Sequence, residues 1–141
     1  MFDLFYHPIY TNGIDKRSRF FFFFYQLTKQ SLDKSDADIR FVQPEMVEIQ
    51  DICLAHDKDY VDAFIDGTLS DRQKRKIGLQ PWNKHIVDRT RYIMGGSLGA
   101  LESAMNSNGI AGNMAGGTHH AYYSEGSGYC IFNDIAICSK V

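Results

Sequence analysis

The stretch Ala115–Ile137, AGGTHHAYYSEGSGYCIFNDIAI, decides how the rest of the chain is read. Two adjacent histidines, His119 and His120, stand between two glycine clusters, Gly116-Gly117 and Gly126-Ser127-Gly128. Consecutive side chains of a regular strand point to opposite faces, so neighbouring imidazoles serve one site only where the chain turns. The preceding glycines permit such a turn and let a ligand approach the main chain closely. Imidazole is also the side chain suited to exchanging protons near neutral pH. Two readings stay open from these residues alone. One is a proton-transferring pair at a pocket; the other is one buried and one solvated histidine in an ordinary loop.

Upstream, Ile110–Ala115 is a short, mostly apolar run without clean alternation, which predicts a strand buried on both faces of a parallel sheet. The histidine loop begins where that strand ends, and in open α/β sheets sites gather beyond the carboxyl ends of strands. Before it, Asn83 is a good N-cap for the strongest helix in the sequence, with Ile86, Thr90, Ile93, Leu98, Leu101 and Met105 near helical spacing. Gly95, Gly96, Ser97, Gly99 and Ala100 make one stretch of it slim. Each glycine there costs about 1 kcal/mol relative to alanine, so tight packing on a sheet is expected in compensation.

The remaining elements are read in the same way. Met1–Tyr10 favours a strand through its aromatic residues, closed by the turn Thr11-Asn12-Gly13. His7 either lines a site or is a structural histidine beside Pro8. Asp38–Val42 reads as a second strand, and Pro44-Glu45 as the first turn of a helix carrying Val47, Ile49, Ile52, Cys53 and Ala55. Asp57 caps another helix, with Val61, Phe64 and Ile65 at helical spacing and Gly67 at its end. Ser70–Lys76 reads as a solvated polar loop. After the histidines, Ile131, Phe132 and Ile135–Ile137 begin an apolar helix that reaches Val141 with no glycine or proline terminator.

A chain of 141 residues, 44% hydrophobic, is ordinarily one domain with a useful core. Its mean hydropathy of -0.29 suits a soluble globular protein. A net charge of -2 gives no reason to expect nucleic-acid or anionic-membrane binding. The start, MFDLFYHPIY, does not read as a secretory signal, and no apolar run reaches the roughly 18 residues of a spanning helix. Cys53, Cys130 and Cys138 are odd in number without C-x-x-C spacing, and read as reduced thiols of a cytoplasmic protein. The run Phe20–Phe24 is the oddest feature. Five helical residues sweep about 400°, so some of these rings are expected at the surface, as an interface for self-association or an aggregation liability. Lys16, Arg17 and Arg19 read as a solvated helix start.

The segment Gly116-Gly117-Thr118-His119-His120-Ala121, followed by Gly126-Ser127-Gly128-Tyr129-Cys130-Ile131-Phe132-Asn133-Asp134, resembles the GG-x-HHA…G-x-GFC-x-FND signature of the histone deacetylase superfamily. That superfamily includes the acetoin-utilisation proteins and acetylpolyamine amidohydrolases. Weaker similarity runs upstream through His7-Pro8-Ile9-Tyr10, His56–Val61 and Gly78–Trp82, so it covers nearly the whole chain and resembles the bacterial, class IV-like branch. The resemblance implies an α/β, three-layer arginase–deacetylase-type fold with a mostly parallel sheet. It also implies that residues 1–141 are the amino-terminal portion of a single catalytic domain, left incomplete because the chain ends early.

The chemistry implied is hydrolysis of an acetyl-lysine or acetyl-polyamine amide, with a zinc ion polarising the carbonyl and lowering the pKa of the attacking water. By that resemblance His120 is the base and His119 its electrostatic and hydrogen-bonding partner. Gly128 and Tyr129 line the acyl channel, Tyr129 standing where the family has phenylalanine, and Cys130 lies near the floor. Asn133 and Asp134 are expected to be structural, as are His56 and Tyr60. An arginine near Lys16–Arg19 is expected to face an internal cavity. The family's zinc ligands, an Asp-x-His pair and a further aspartate, have no counterpart in this sequence, so zinc is not expected to bind stably to this chain alone. The second expectation is a non-catalytic fragment acting at most through Phe20–Phe24.

Overall fold

Three short strands form an all-parallel sheet in the order β2-β1-β3, with β1 Phe2–Phe5 between β2 Ile39–Val42 and β3 Ala111–Asn113. The computed structural model describes residues 1–15, 17, 23–107 and 109–141. Among the described residues six α-helices accompany the strands: α1 Phe23–Asp33, α2 Ile49–Ile52, α3 Lys58–Ile65, α4 Asp71–Ile77, α5 Lys84–Asn106 and α6 Asp134–Cys138. The chain is therefore an α/β structure with a parallel sheet, as the resemblance implies. Phe5 and Asn113 face α5, whereas Phe41, one position out of step, faces α1 through Lys29, whose ammonium lies 4.4 Å from the Phe41 ring centre. Helices thus lie against both faces of the sheet.

The slim stretch of α5 packs as closely as its composition requires. A methyl group added at Gly99 would lie 2.5 Å from the Phe5 ring, and one at Gly96 would lie 2.6 Å from the Tyr10 hydroxyl. At Gly95 the main chain of Glu45–Val47 passes so close that no side chain fits. Ile86, Thr90 and Ile93 are buried as the spacing predicts, but Leu101 and Met105 in the last turns are exposed. Ser103 between them still donates its hydroxyl to Asp3 of β1 at 2.8 Å, so only the outer side of these turns faces away from the sheet.

Several boundaries differ from expectation, each for a local reason. The first strand stops at Phe5 because His7 Nδ1 accepts a hydrogen bond from Ile9 N and caps a 3-10 turn, Pro8–Tyr10. His7 is a structural histidine, stacked on Tyr92 at 4.4 Å. The helix expected to start at Pro44-Glu45 and carry Val47 to Ala55 shrinks to α2, since Val47 spends its amide on Arg91 O and its carbonyl on the Arg91 guanidinium. Residues of β3 are half-buried rather than buried on both faces, because among the described residues β3 has β1 alone as neighbour.

The largest correction concerns Ser70–Lys76, which is no loop. Ser70 and Gln73 form a capping box, and Gly78 ends α4 in the left-handed region at φ 84°. The S-x-x-Q signal and the terminal glycine were both in the sequence, hidden behind the run of charge. Of the phenylalanine run, Phe20, Phe21 and Phe22 lie outside the described residues, as do Lys16 and Arg19. Phe23 and Phe24 open α1 and are 38% and 59% exposed, with Leu27 of the same helix at 52%. No helix among the described residues is long and apolar enough to cross a membrane.

What matters for the site is how the segment between β3 and α6 is held. Phe132 is fully buried against His56, Tyr60 and Phe64, with ring centres 5.1–5.6 Å away. Tyr60 donates its hydroxyl to Ile131 O at 2.7 Å, and His56 Nε2 accepts from Asn133 N at 2.9 Å. His56 Nδ1 must then carry the proton, which it donates to Tyr123 O at 3.1 Å. His56 and Tyr60 are structural, as expected. At the other end Asp134 is buried and accepts from Ser97 Oγ, Gly117 N, Thr118 N, Thr118 Oγ1 and Ile135 N at 2.6–3.1 Å. Ser97 in turn accepts from Asn113 Nδ2, and Asn113 Oδ1 accepts from the Tyr10 hydroxyl.

Three stability tests arise from this packing. Gly95→Ala gains helix propensity yet drives a methyl group into Glu45 O, so a net loss of about 1–3 kcal/mol is expected in denaturant titrations. Asp134→Ala strands buried donors and is expected to cost about 3–5 kcal/mol, with Asp134→Asn losing less because one acceptor oxygen survives. Burial holds the His56 pKa below its ordinary value of about 6.5, opposed by weaker backbone hydrogen bonds. The unfolded chain then binds that proton more readily, so the His56 contribution is complete above about pH 6.5 and is lost as pH falls from there through the lower pKa of the folded state. His7 shifts the same way through burial. Thermal melts from pH 7.5 to 5.5 should therefore show a steeper decline in the parent than in His56→Gln, and identical slopes would remove His56 as the cause.

Candidate active site

The loop leaving β3 turns at Gly117, φ 85°, and again at Gly128, φ 53°. Between these turns the His119 and His120 rings come to 4.3 Å, centre to centre, inclined at 36°. Both are exposed, and neither is in an apolar core. His119 Nδ1 lies 2.8 Å from Gly117 O, so Nδ1 carries a proton and donates it there, leaving Nε2 as the basic nitrogen. His120 lies across Gly128, where an added methyl group would sit 3.5 Å from its ring.

A cavity of about 280 Å³ opens beside His120, with Gly128, Tyr129 and Cys130 in its wall. Four of the five residues singled out from the sequence thus line one cavity, and His119 stands beside it against His120. Tyr129 is held at φ 67°, a left-handed conformation uncommon for a residue with a side chain. Its amide donates to Ile77 O at 2.8 Å, and the Gly128 amide donates to Lys76 O at 3.3 Å, so the end of α4 fixes this wall. Burial raises the Cys130 thiol pKa, only partly offset by the His120 amide, which suits a neutral wall residue rather than a nucleophile.

Sequence reasoning missed the inner end of the cavity. Arg89 of α5 lines it, buried, donating Nε to Tyr10 O at 3.0 Å and hydrogen-bonded to Tyr25. Burial pushes the guanidinium pKa down to about 10. Arg89 stands three residues after Ile86 and four before Ile93, on the apolar stripe of its helix, and that register was the available signal. Of the arginines among which the family resemblance expects a cavity-facing residue, Arg17 is exposed and bound to Asp15, and Arg19 lies outside the described residues.

Metal binding was tested on the same groups. Among the described residues no three His, Cys, Asp or Glu side chains stand together as a metal site. Asp134 has both oxygens engaged by loop donors, and Glu125 is paired with Lys76. The side chains present do not by themselves fit a tetrahedral zinc centre.

The family model described as the histone deacetylase domain matches residues 15–141. An uncharacterized protein of Picosynechococcus sp. (strain PCC 7002) is 38% identical over 141 residues, which is 99% of this chain and 46% of that protein. The acetoin utilization protein AcuC of Staphylococcus aureus (strain COL) is 33% identical over 72% of this chain and 28% of its own length. AcuC of Bacillus subtilis (strain 168) is 30% identical over 80% of this chain and 31% of its own. The chain spans less than half the length of these relatives. With the domain match extending over the loop that holds the two histidines, the chain belongs to the histone deacetylase family.

Proposed function

We propose that residues 1–141 form the amino-terminal portion of a single deacetylase catalytic domain, and that the complete protein is a cytoplasmic, zinc-dependent amidohydrolase. Its substrates would be acetyl-lysine or acetyl-polyamine-type amides. The observation that carries this reading is the pair of adjacent, exposed imidazoles beside the cavity walled by Gly128, Tyr129 and Cys130.

Amide hydrolysis needs a group that removes a proton from the attacking water and returns one to the leaving amine. In this reading His120, bordering the cavity, does both. His119 stabilises the charge that His120 gains, its own ring steadied by the bond to Gly117 O. Gly128 leaves room for the acyl chain, Tyr129 forms the opposite wall and Cys130 the floor. The zinc ion would supply electrophilic activation of the carbonyl, and its ligands would come from outside the described residues; the share of each relative left unmatched supports that assignment.

His120→Ala in the complete protein is expected to lower kcat on an acetyl-lysine peptide by about 10²–10⁴-fold, with little change in KM or in the circular dichroism spectrum. Chelation should abolish turnover and added zinc restore it, while residues 1–141 alone should not hydrolyse the peptide. Robust turnover by the 141-residue chain would overturn the division of the site. A second reading, a non-catalytic module that self-associates through Phe20–Phe24, draws support from the exposure of Phe23 and Phe24. It is favoured if the complete protein binds no zinc and sediments as an oligomer that Phe23→Ser/Phe24→Ser dissociates.

A further inference from the structure

A second concavity, a groove of about 1050 Å³, meets the cavity at Gly128 and Tyr129, which line both. Its charged lining is uneven: Arg17, Lys74, Arg75 and Lys76 against Asp15 and Asp71. Two of those cations are neutralised, Arg17 by Asp15 and Lys76 by Glu125. Lys74 and Arg75 make no ion pair among the described residues, and Asp71 is the one acidic group of the lining left to oppose them. The groove therefore carries an excess of positive charge on a chain whose net charge is -2.

These cations do not sit on an independent surface. They belong to α4, whose last carbonyls accept the Gly128 and Tyr129 amides, so the charge is fixed relative to the wall of the cavity. Lys74 lies 5.9 Å from the Trp82 ring centre and Lys76 lies 5.5 Å from that of Tyr122. Aromatic faces restrict where those two ammonium groups point. A substrate whose acylated amine entered the cavity would lay its flanking groups along this groove.

We infer that α4 selects the substrate class, favouring acyl-lysine in a peptide or protein segment with acidic neighbours and disfavouring acetylated polyamines. Carboxylates beside the acyl-lysine complement Lys74 and Arg75, whereas a polyamine brings further ammonium groups against them. This rests on the amidohydrolase reading above and narrows its substrates.

The test uses the complete protein and three acetyl-lysine peptides that differ only in the residues flanking the acetyl-lysine: glutamate, alanine or lysine. An acetylated polyamine serves as a fourth substrate. At low salt kcat/KM should fall in the order glutamate, alanine, lysine, spanning about three- to tenfold, with the polyamine no better than the lysine peptide. The span should shrink at 0.5 M salt, where charges are screened within about 4–5 Å. Lys74→Glu/Arg75→Glu should reverse the order. Arg75→Glu alone, which spares the Trp82 contact, should narrow the span. Equal rates on all three peptides, or a preference that survives charge reversal, overturns the inference and leaves the hydrolase reading standing. No turnover of any substrate overturns both.

Discussion

A buried carboxylate surrounded by donors, not by a countercharge, is the constraint on which this structure depends. Asp134 makes no ion pair among the described residues; hydroxyl and amide groups from α5, the histidine loop and α6 take the place of solvent around it. Burying an anion is expensive unless such donors are in place, so the carboxylate and its partners are stable only together. The loop must turn back at Gly117 to bring its amides within reach, and that turn is what sets His119 and His120 side by side. Ser97 passes the constraint to Asn113 at the end of β3 and so to the sheet.

From the opposite side the same loop is gripped by groups of another kind. Phe132 fills an aromatic pocket, and His56, Asp57 and Tyr60 bond the backbone on both sides of the glycine cluster. A third grip comes from the end of α4. An exposed site segment is thereby held from three directions, although it contains almost no regular secondary structure itself. Preorganisation of that kind is what a proton-transferring site requires, since small displacements cost rate steeply.

The legible parts of the chain were those where one physical rule acted locally. Asp57 and Asn83 cap their helices as residue type predicts, and the glycines of α5 predicted close packing that Phe5 and Glu45 supply. The GG-x-HHA pattern carried the family and the residues around the cavity. What stayed illegible depended on long-range pairing. Nothing near Val47 in sequence announces that Arg91 will claim its backbone, and nothing near His56 names Asn133 as its partner. Helix α4 was missed for a different reason: six charged or polar residues looked solvated, and they are, on a helix whose ends are specified by Ser70 and Gly78.

Tyr129 carries a consequence of its own. A residue with a side chain at φ 67° sits in a narrow conformational well, and hydrogen bonds from its own amide and that of Gly128 to the end of α4 hold it there. The cavity wall at Tyr129 is therefore placed only as firmly as the last turn of a seven-residue helix, α4, is held.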